Sequence, residues 1–96
     1  MNCRITRRAE RDIDEIWEFI ARDSYDNADK VDLEIQRAMR LLADFPGIGH
    51  RRSDVSNSNL RFWSVYKYLI VYRVRGRTVT IIRVVHGARN IRRLFK

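Results

Sequence analysis

The stretch Leu60 to His86, LRFWSVYKYLIVYRVRGRTVTIIRVVH, decides the fold. It holds three runs rich in β-branched and aromatic residues: LRFWSV (60–65), YLIVYRV (68–74) and TVTIIRVVH (78–86). Such residues suit a pleated, half-buried surface. Tyr66-Lys67 and Arg75-Gly76-Arg77 separate the runs and are short enough for hairpin turns, with Gly76 at the permissive position. Three consecutive antiparallel strands are therefore expected. In the last run Ile81 and Ile82 are both apolar, as are Val84 and Val85. A strand with one covered face alternates more cleanly. Both sheet faces therefore need cover: one by helices, the other by the C-terminal segment, a subunit or another protein.

Upstream, the apolar period changes to that of helices. Ile13, Ile16, Trp17 and Ile20 share one helical face, and Arg11, Asp14, Glu15 and Glu18 lie on the other. Thr6 is the expected N-cap of this helix, and CRIT (3–6) before it is a short strand able to join a sheet edge. RDSYDNAD (22–29) reads as a polar break. Val31, Ile35, Ala38, Met39, Leu42 and Phe45 then mark a second helix, which Pro46 stops; Gly47 and Gly49 suit open backbone conformations. Leu33 lies off the apolar stripe. HRRSDVSNSN (50–59) has the composition of a loop. The expected fold class is α+β: a short N-terminal strand, a helical hairpin, then a three-stranded antiparallel sheet on which the helices pack, in one domain over residues 1–96.

The 96 residues are 45% apolar, enough for one core and too many for a disordered chain. No apolar run approaches the ~20 residues of a membrane span, and the N-terminus lacks the apolar stretch of a secretory signal. The expected location is the cytoplasm, which a lone cysteine, Cys3, also suits. The net charge of +8 is unevenly placed. Residues 1–50 hold 8 Lys/Arg against 11 Asp/Glu, whereas residues 51–96 hold 12 Lys/Arg and one acid, Asp54. The second half should attract an anionic partner: nucleic acid, an acidic protein segment or a nucleic-acid-bound enzyme.

Several chemistries find no footing. His50 and His86 are the only histidines and have no second cysteine or carboxylate cluster nearby, so no metal site is expected. No phosphate-cradling glycine motif occurs, and no cofactor is implied. A hydrolase triad would have to join Ser53, Ser56, Ser58 or Ser64 to His86 and Asp54, which nothing in the spacing favours. Acid–base cleavage of RNA has its parts. Arg52, Arg61, Arg73, Arg83 and Arg89 supply cations, Asp54 or His50 a base, and His86 an acid or base, roles to which histidine side chains are suited. Base stacking would use Phe62, Trp63, Tyr66, Tyr68 and Tyr72 among Arg61, Lys67 and Arg73. Several of these aromatics are needed for the core.

The order of IWEFIA (16–21), LLADFPGIGHRRSDV (41–55), YLIVYRV (68–74) and IIRVVHGARN (81–90) resembles the ParE branch of the RelE/ParE toxin superfamily over nearly the whole chain. Two positions depart from the family pattern. His50 stands where an arginine is usual, and Asn90 replaces the acid of His-Gly-Ala-Arg-Asp. The resemblance implies the toxin of a type II toxin–antitoxin pair, linked to stress response. Such a toxin poisons DNA gyrase by trapping its cleavage complex. It is neutralised by a ParD-like antitoxin, with which it can form a hetero-oligomer. It also implies no membrane partner and no sequence-specific DNA binding by the toxin alone. Arg52, Arg61, Arg73, Arg83, Arg89, Arg92, Arg93 and Phe95 would then serve target or antitoxin binding. The alternative within the superfamily is a ribosome-dependent mRNA endoribonuclease, for which Asp54, Arg61, Arg83 and His86 are the catalytic candidates. Phe95 stands where that chemistry wants a tyrosine, and nothing after His86 offers a phenol.

Overall fold

The computed structural model describes residues 2–52 and 59–95. Asp54, Ser53, Ser56 and Ser58 lie outside the described residues. In chain order the elements are β1 (Asn2–Ile5), α1 (Arg7–Ala21), α2 (Tyr25–Asp44), a 3-10 turn (Pro46–Ile48), β2 (His50–Arg51), β3 (Leu60–Val65), β4 (Tyr68–Arg75), β5 (Thr78–His86) and α3 (Ile91–Leu94). The sheet has five strands in the order β1-β5-β4-β3-β2. The three expected strands form its centre as two antiparallel hairpins. CRIT does join an edge: β1 runs parallel to β5, with Ile5 beside Ile81. The fifth strand was unexpected. His50 and Arg51 pair with Phe62 and Arg61 although their neighbours have loop composition.

Both long helices begin at side-chain caps. The Thr6 hydroxyl accepts from Ala9 N–H at 3.1 Å, as its position before the apolar stripe suggested. The second cap lies inside the segment read as a break. Ser24 accepts from Asn27 N–H, so α2 starts at Tyr25 and the interhelical turn is short. Asp26 then sits in the first turn, where the helix dipole favours an acid despite its low helix propensity. Trp17 Nε1 donates to Asp29 at 2.9 Å and fastens the two helices near this turn.

The breakdown of alternation in β5 has a local cause. Val71 opposes Arg83 and Tyr72 opposes Ile81, which leaves Ile82 as an extra residue on β5. Such a bulge reverses the phase of the side chains beyond it. Val79, Ile81 and Val84 therefore face the helices, joining Ile70, Tyr72, Ala9, Ile13, Ile35, Met39 and Leu42 in the main core. Ile82 and Val85 belong to a second cluster with Leu60, Phe62, Val71 and Ile91. Of the three covers considered for that second face, the chain supplies its own. α3 lays Ile91 on it, with Leu94 and Phe95 packed alongside. The Phe95 ring meets Phe62 edge-on at 6.1 Å. Each fully buried aliphatic side chain contributes about 1.5–3 kcal/mol, so the main core dominates and the α3 contact is the smaller one.

Candidate functional site

The HGAR turn is built from the end of β5. His86 Nδ1 accepts from Ala88 N–H at 3.0 Å, and its carbonyl accepts from Arg89 N–H at 3.0 Å. Gly87 N–H donates to Lys67 O at 2.8 Å, tying this turn to the β3–β4 turn. The imidazole also meets the Tyr68 ring edge-on at 5.7 Å. His86 thus braces the turn. Asn90 caps α3, its side-chain oxygen accepting from Arg93 N–H. Asparagine and aspartate are equivalent caps, so the departure at Asn90 keeps the local structure and removes only a charge. Arg92 and Arg93 lie exposed on α3. Arg89 borders a hollow of about 280 Å³ against α1, with Glu15, Phe19, Tyr68 and His86 around it.

Among the candidate arginines, Arg83 and Arg61 are held by hydrogen bonds to other elements of the fold. Arg83 donates through Nε to Asp12 Oδ2 at 2.8 Å and through Nη2 to Oδ1 at 3.2 Å. Asp12 is only 4% exposed and also accepts from Val84 N–H at 3.0 Å. The topology explains why. β1 ends at Ile5, so β5 has no parallel neighbour beyond Ile81, and polar groups from Thr6 onward take its place. The Thr6 hydroxyl donates to Ile82 O, and Asp12 takes the next free N–H. Arg8 adds a second cation at 3.4 Å from Oδ1. The sequence reading passed over Asp12. The available signal was an acid three residues after Ala9 and four before Ile16, inside the apolar stripe.

Arg61 reaches the other end of the hairpin. Its Nη1 donates to Gly49 O at 3.0 Å and to Gly47 O at 3.3 Å. Tyr72, fully buried, closes the same turn: its hydroxyl donates to Pro46 O and accepts from Gly49 N–H, both at 2.8 Å. Burial holds the Tyr72 phenol above its ordinary 10.0, against the opposing Gly49 hydrogen bond and Arg61 charge. The neutral phenol is therefore favoured in the folded state. This stabilisation is fully present below about pH 10 and is lost as the pH climbs through the raised value. An alkaline titration should show Tyr72 ionising later than a free tyrosine and together with loss of structure. The phenolate signal that disappears in Tyr72→Phe reports it.

The structure brings Arg52 and Phe95 together through Phe62, with the Arg52 guanidinium 5.8 Å from the Phe62 ring centre. It does not bring Arg61 and Arg83 together with His86: the first two are bound to different internal partners, and His86 holds its own turn. The aromatics do not form a stacking platform either. Phe62 and Tyr72 are buried, and Tyr66 is the one largely exposed at 60%. Cys3 is free on β1, and burial pushes its thiol up. No helix among the described residues is long and apolar enough to cross a membrane.

A helical hairpin on one sheet face, a short helix on the other and a polar turn between strand and tail define a small α+β protein. The family model of the ParE toxin of type II toxin–antitoxin systems, parDE, matches residues 3–91, and the chain belongs to that family. It is 32% identical over 90 residues to Toxin ParE1 of Caulobacter vibrioides, covering 93% of this chain and 92% of that protein. Toxin ParE3 of the same organism is 29% identical over 87 residues, covering 90% and 86%. The fold matches a chain of the chromosomal ParDE toxin–antitoxin system from P. aeruginosa with a TM-score of 0.74 at 22% identity, covering 90% of this chain and 95% of that one.

Proposed function

We propose that this chain, acting as a single domain, inhibits DNA gyrase by binding it and trapping its cleavage complex, and that a ParD-like antitoxin neutralises it. One observation carries the choice of binding over RNA cleavage. Arg61 and Arg83, the cations that a nuclease site would need, are held by the Gly47 and Gly49 carbonyls and by Asp12. A guanidinium already committed to internal acceptors is poorly placed to stabilise a crowded phosphate. Arg89 and Arg93, in contrast, lie exposed around the HGAR turn. The antitoxin has an apolar surface to cover. A groove of about 330 Å³ between α2 and β3 is lined by Ala38, Leu41, Trp63 and Val65, with the exposed Tyr66 at its edge. An amphipathic segment fits such a groove.

The test uses the purified chain with gyrase, plasmid and ATP, beside a translating extract with a reporter mRNA. Blocked supercoiling or trapped cleaved plasmid with intact mRNA is the expected result. Cut mRNA with normal gyrase overturns it. Arg89→Ala should weaken inhibition of gyrase about tenfold, the equivalent of ~1.4 kcal/mol. His86→Ala should leave most inhibition in place, because the imidazole accepts one hydrogen bond in an exposed turn.

A further inference from the structure

The end of the outer sheet face that α3 leaves open carries two polar rows across three strands. Arg4 on β1, Thr80 on β5 and Arg73 on β4 are in register, and so are Asn2, Thr78 and Arg75. Arg4, Thr80 and Arg73 line a cleft of about 240 Å³ together with Ile5 and Thr6, and no acid lines it. The Thr6 hydroxyl is occupied, donating to Ile82 O and accepting from Ala9 N–H. Among the described residues, neither the Arg4 nor the Arg73 guanidinium has an ion pair or hydrogen bond. They differ in this from Arg8, Arg61 and Arg83.

Adjacent strands lie about 4.8 Å apart, so Arg4 and Arg73 stand one strand either side of Thr80, about 10 Å from each other at the backbone. Both side chains are long enough to meet over the hydroxyl. Two like charges so placed repel each other, and an anion between them relieves the repulsion. Guanidinium forks match the paired oxygens of a phosphate. Arg75, two residues along β4 from Arg73 and so about 7 Å further on, extends the cationic row as a linear polyanion would require. No aromatic lines the cleft, so nothing there stacks on a base. Its one aliphatic side chain, Ile5, offers little to an amphipathic peptide.

We propose that this cleft binds the phosphodiester backbone of a nucleic acid without regard to sequence. The site lies towards the opposite end of β5 from the HGAR turn. The test measures fluorescence anisotropy of a random-sequence duplex oligonucleotide with the full chain, titrated between about 50 and 200 mM salt. Arg4→Ala with Arg73→Ala should weaken binding about tenfold or more at the low-salt end. It should also lower the slope of log affinity against log salt by about two. Arg11→Ala with Arg40→Ala removes the same charge from exposed helix positions and should change both quantities far less. Arg4→Lys with Arg73→Lys should keep the salt slope and thermal melting of the parent while losing part of the affinity. Equal losses in the two alanine pairs would mean that only net charge matters, and the proposal fails. It also fails if the Arg4/Arg73 alanine pair spares the oligonucleotide but abolishes binding of a poly-glutamate peptide.

Discussion

Replacing Asp12 by alanine should destabilise the protein by about 3–5 kcal/mol, enough to unfold much of it. The carboxylate accepts from Arg83 Nε, Arg83 Nη2 and Val84 N–H and lies 3.4 Å from Arg8. Its removal leaves Arg83, whose side chain is 15% exposed, without a counter-charge and a buried strand N–H without an acceptor. The loss therefore exceeds that of a surface pair, for which ~0–1 kcal/mol is usual. Urea unfolding followed by circular dichroism measures it. Asp12→Asn separates the two parts. An amide oxygen can still take the Val84 N–H, so this variant should recover a fraction of the loss while Arg83 stays unpaired. Asp12→Leu with Arg83→Met should be more stable than Asp12→Ala alone, because matched apolar groups need no partner. If Asp12→Ala is instead near neutral, Arg83 is not held by this pair, and the main argument against a nuclease site weakens with it.

Arg83 also marks the boundary of what the sequence could disclose. Its type was legible as a cation on the last strand. Its partner lies 71 residues away on α1, and no local spacing links the two. The same holds for Arg61, whose acceptors belong to the turn after α2. Periodicity located both helices, the two hairpins and the Thr6 cap, since these depend on neighbours within a few residues. It missed the start of α2 because Asp and Asn weigh against helix in the interior but suit the first turn. It also missed β2, since two residues paired by register carry no compositional signal. The doubled apolar pairs of β5 were read correctly as a demand for cover on both faces. The bulge at Ile82 that produces them became visible only once β4 was in place. Asp54 lies outside the described residues, so its part in the ribonuclease alternative rests on the sequence.

Gly49→Ala should cost about 3 kcal/mol, at the upper end of what overpacking a core produces. The usual reason for a glycine does not apply: at φ −69° and ψ 152° its backbone conformation is open to any residue. Space is what it lacks. A Cβ would overlap the Tyr72 phenol, whose Cζ would be 2.8 Å away. Tyr72 is fully buried between the helices and the sheet and cannot swing aside without giving up its bonds to Pro46 O and Gly49 N–H. Arg61 donates to the Gly47 and Gly49 carbonyls, so a shifted turn disturbs these two bonds as well. Tyr72→Phe should cost less, about 1–3 kcal/mol, because it leaves the buried Gly49 N–H and the part-buried Pro46 carbonyl without this partner but causes no clash. Each substitution breaks the same Gly49–Tyr72 bond, so the double variant should lose less than the two separate losses added. Full recovery is not expected, since Cε1 and Cζ of the ring still occupy the place of the new methyl. Denaturant midpoints of the three variants decide this. Strict additivity would mean that the phenol and Gly49 act independently. The turn after α2 would then be fixed by Pro46 and Arg61 alone.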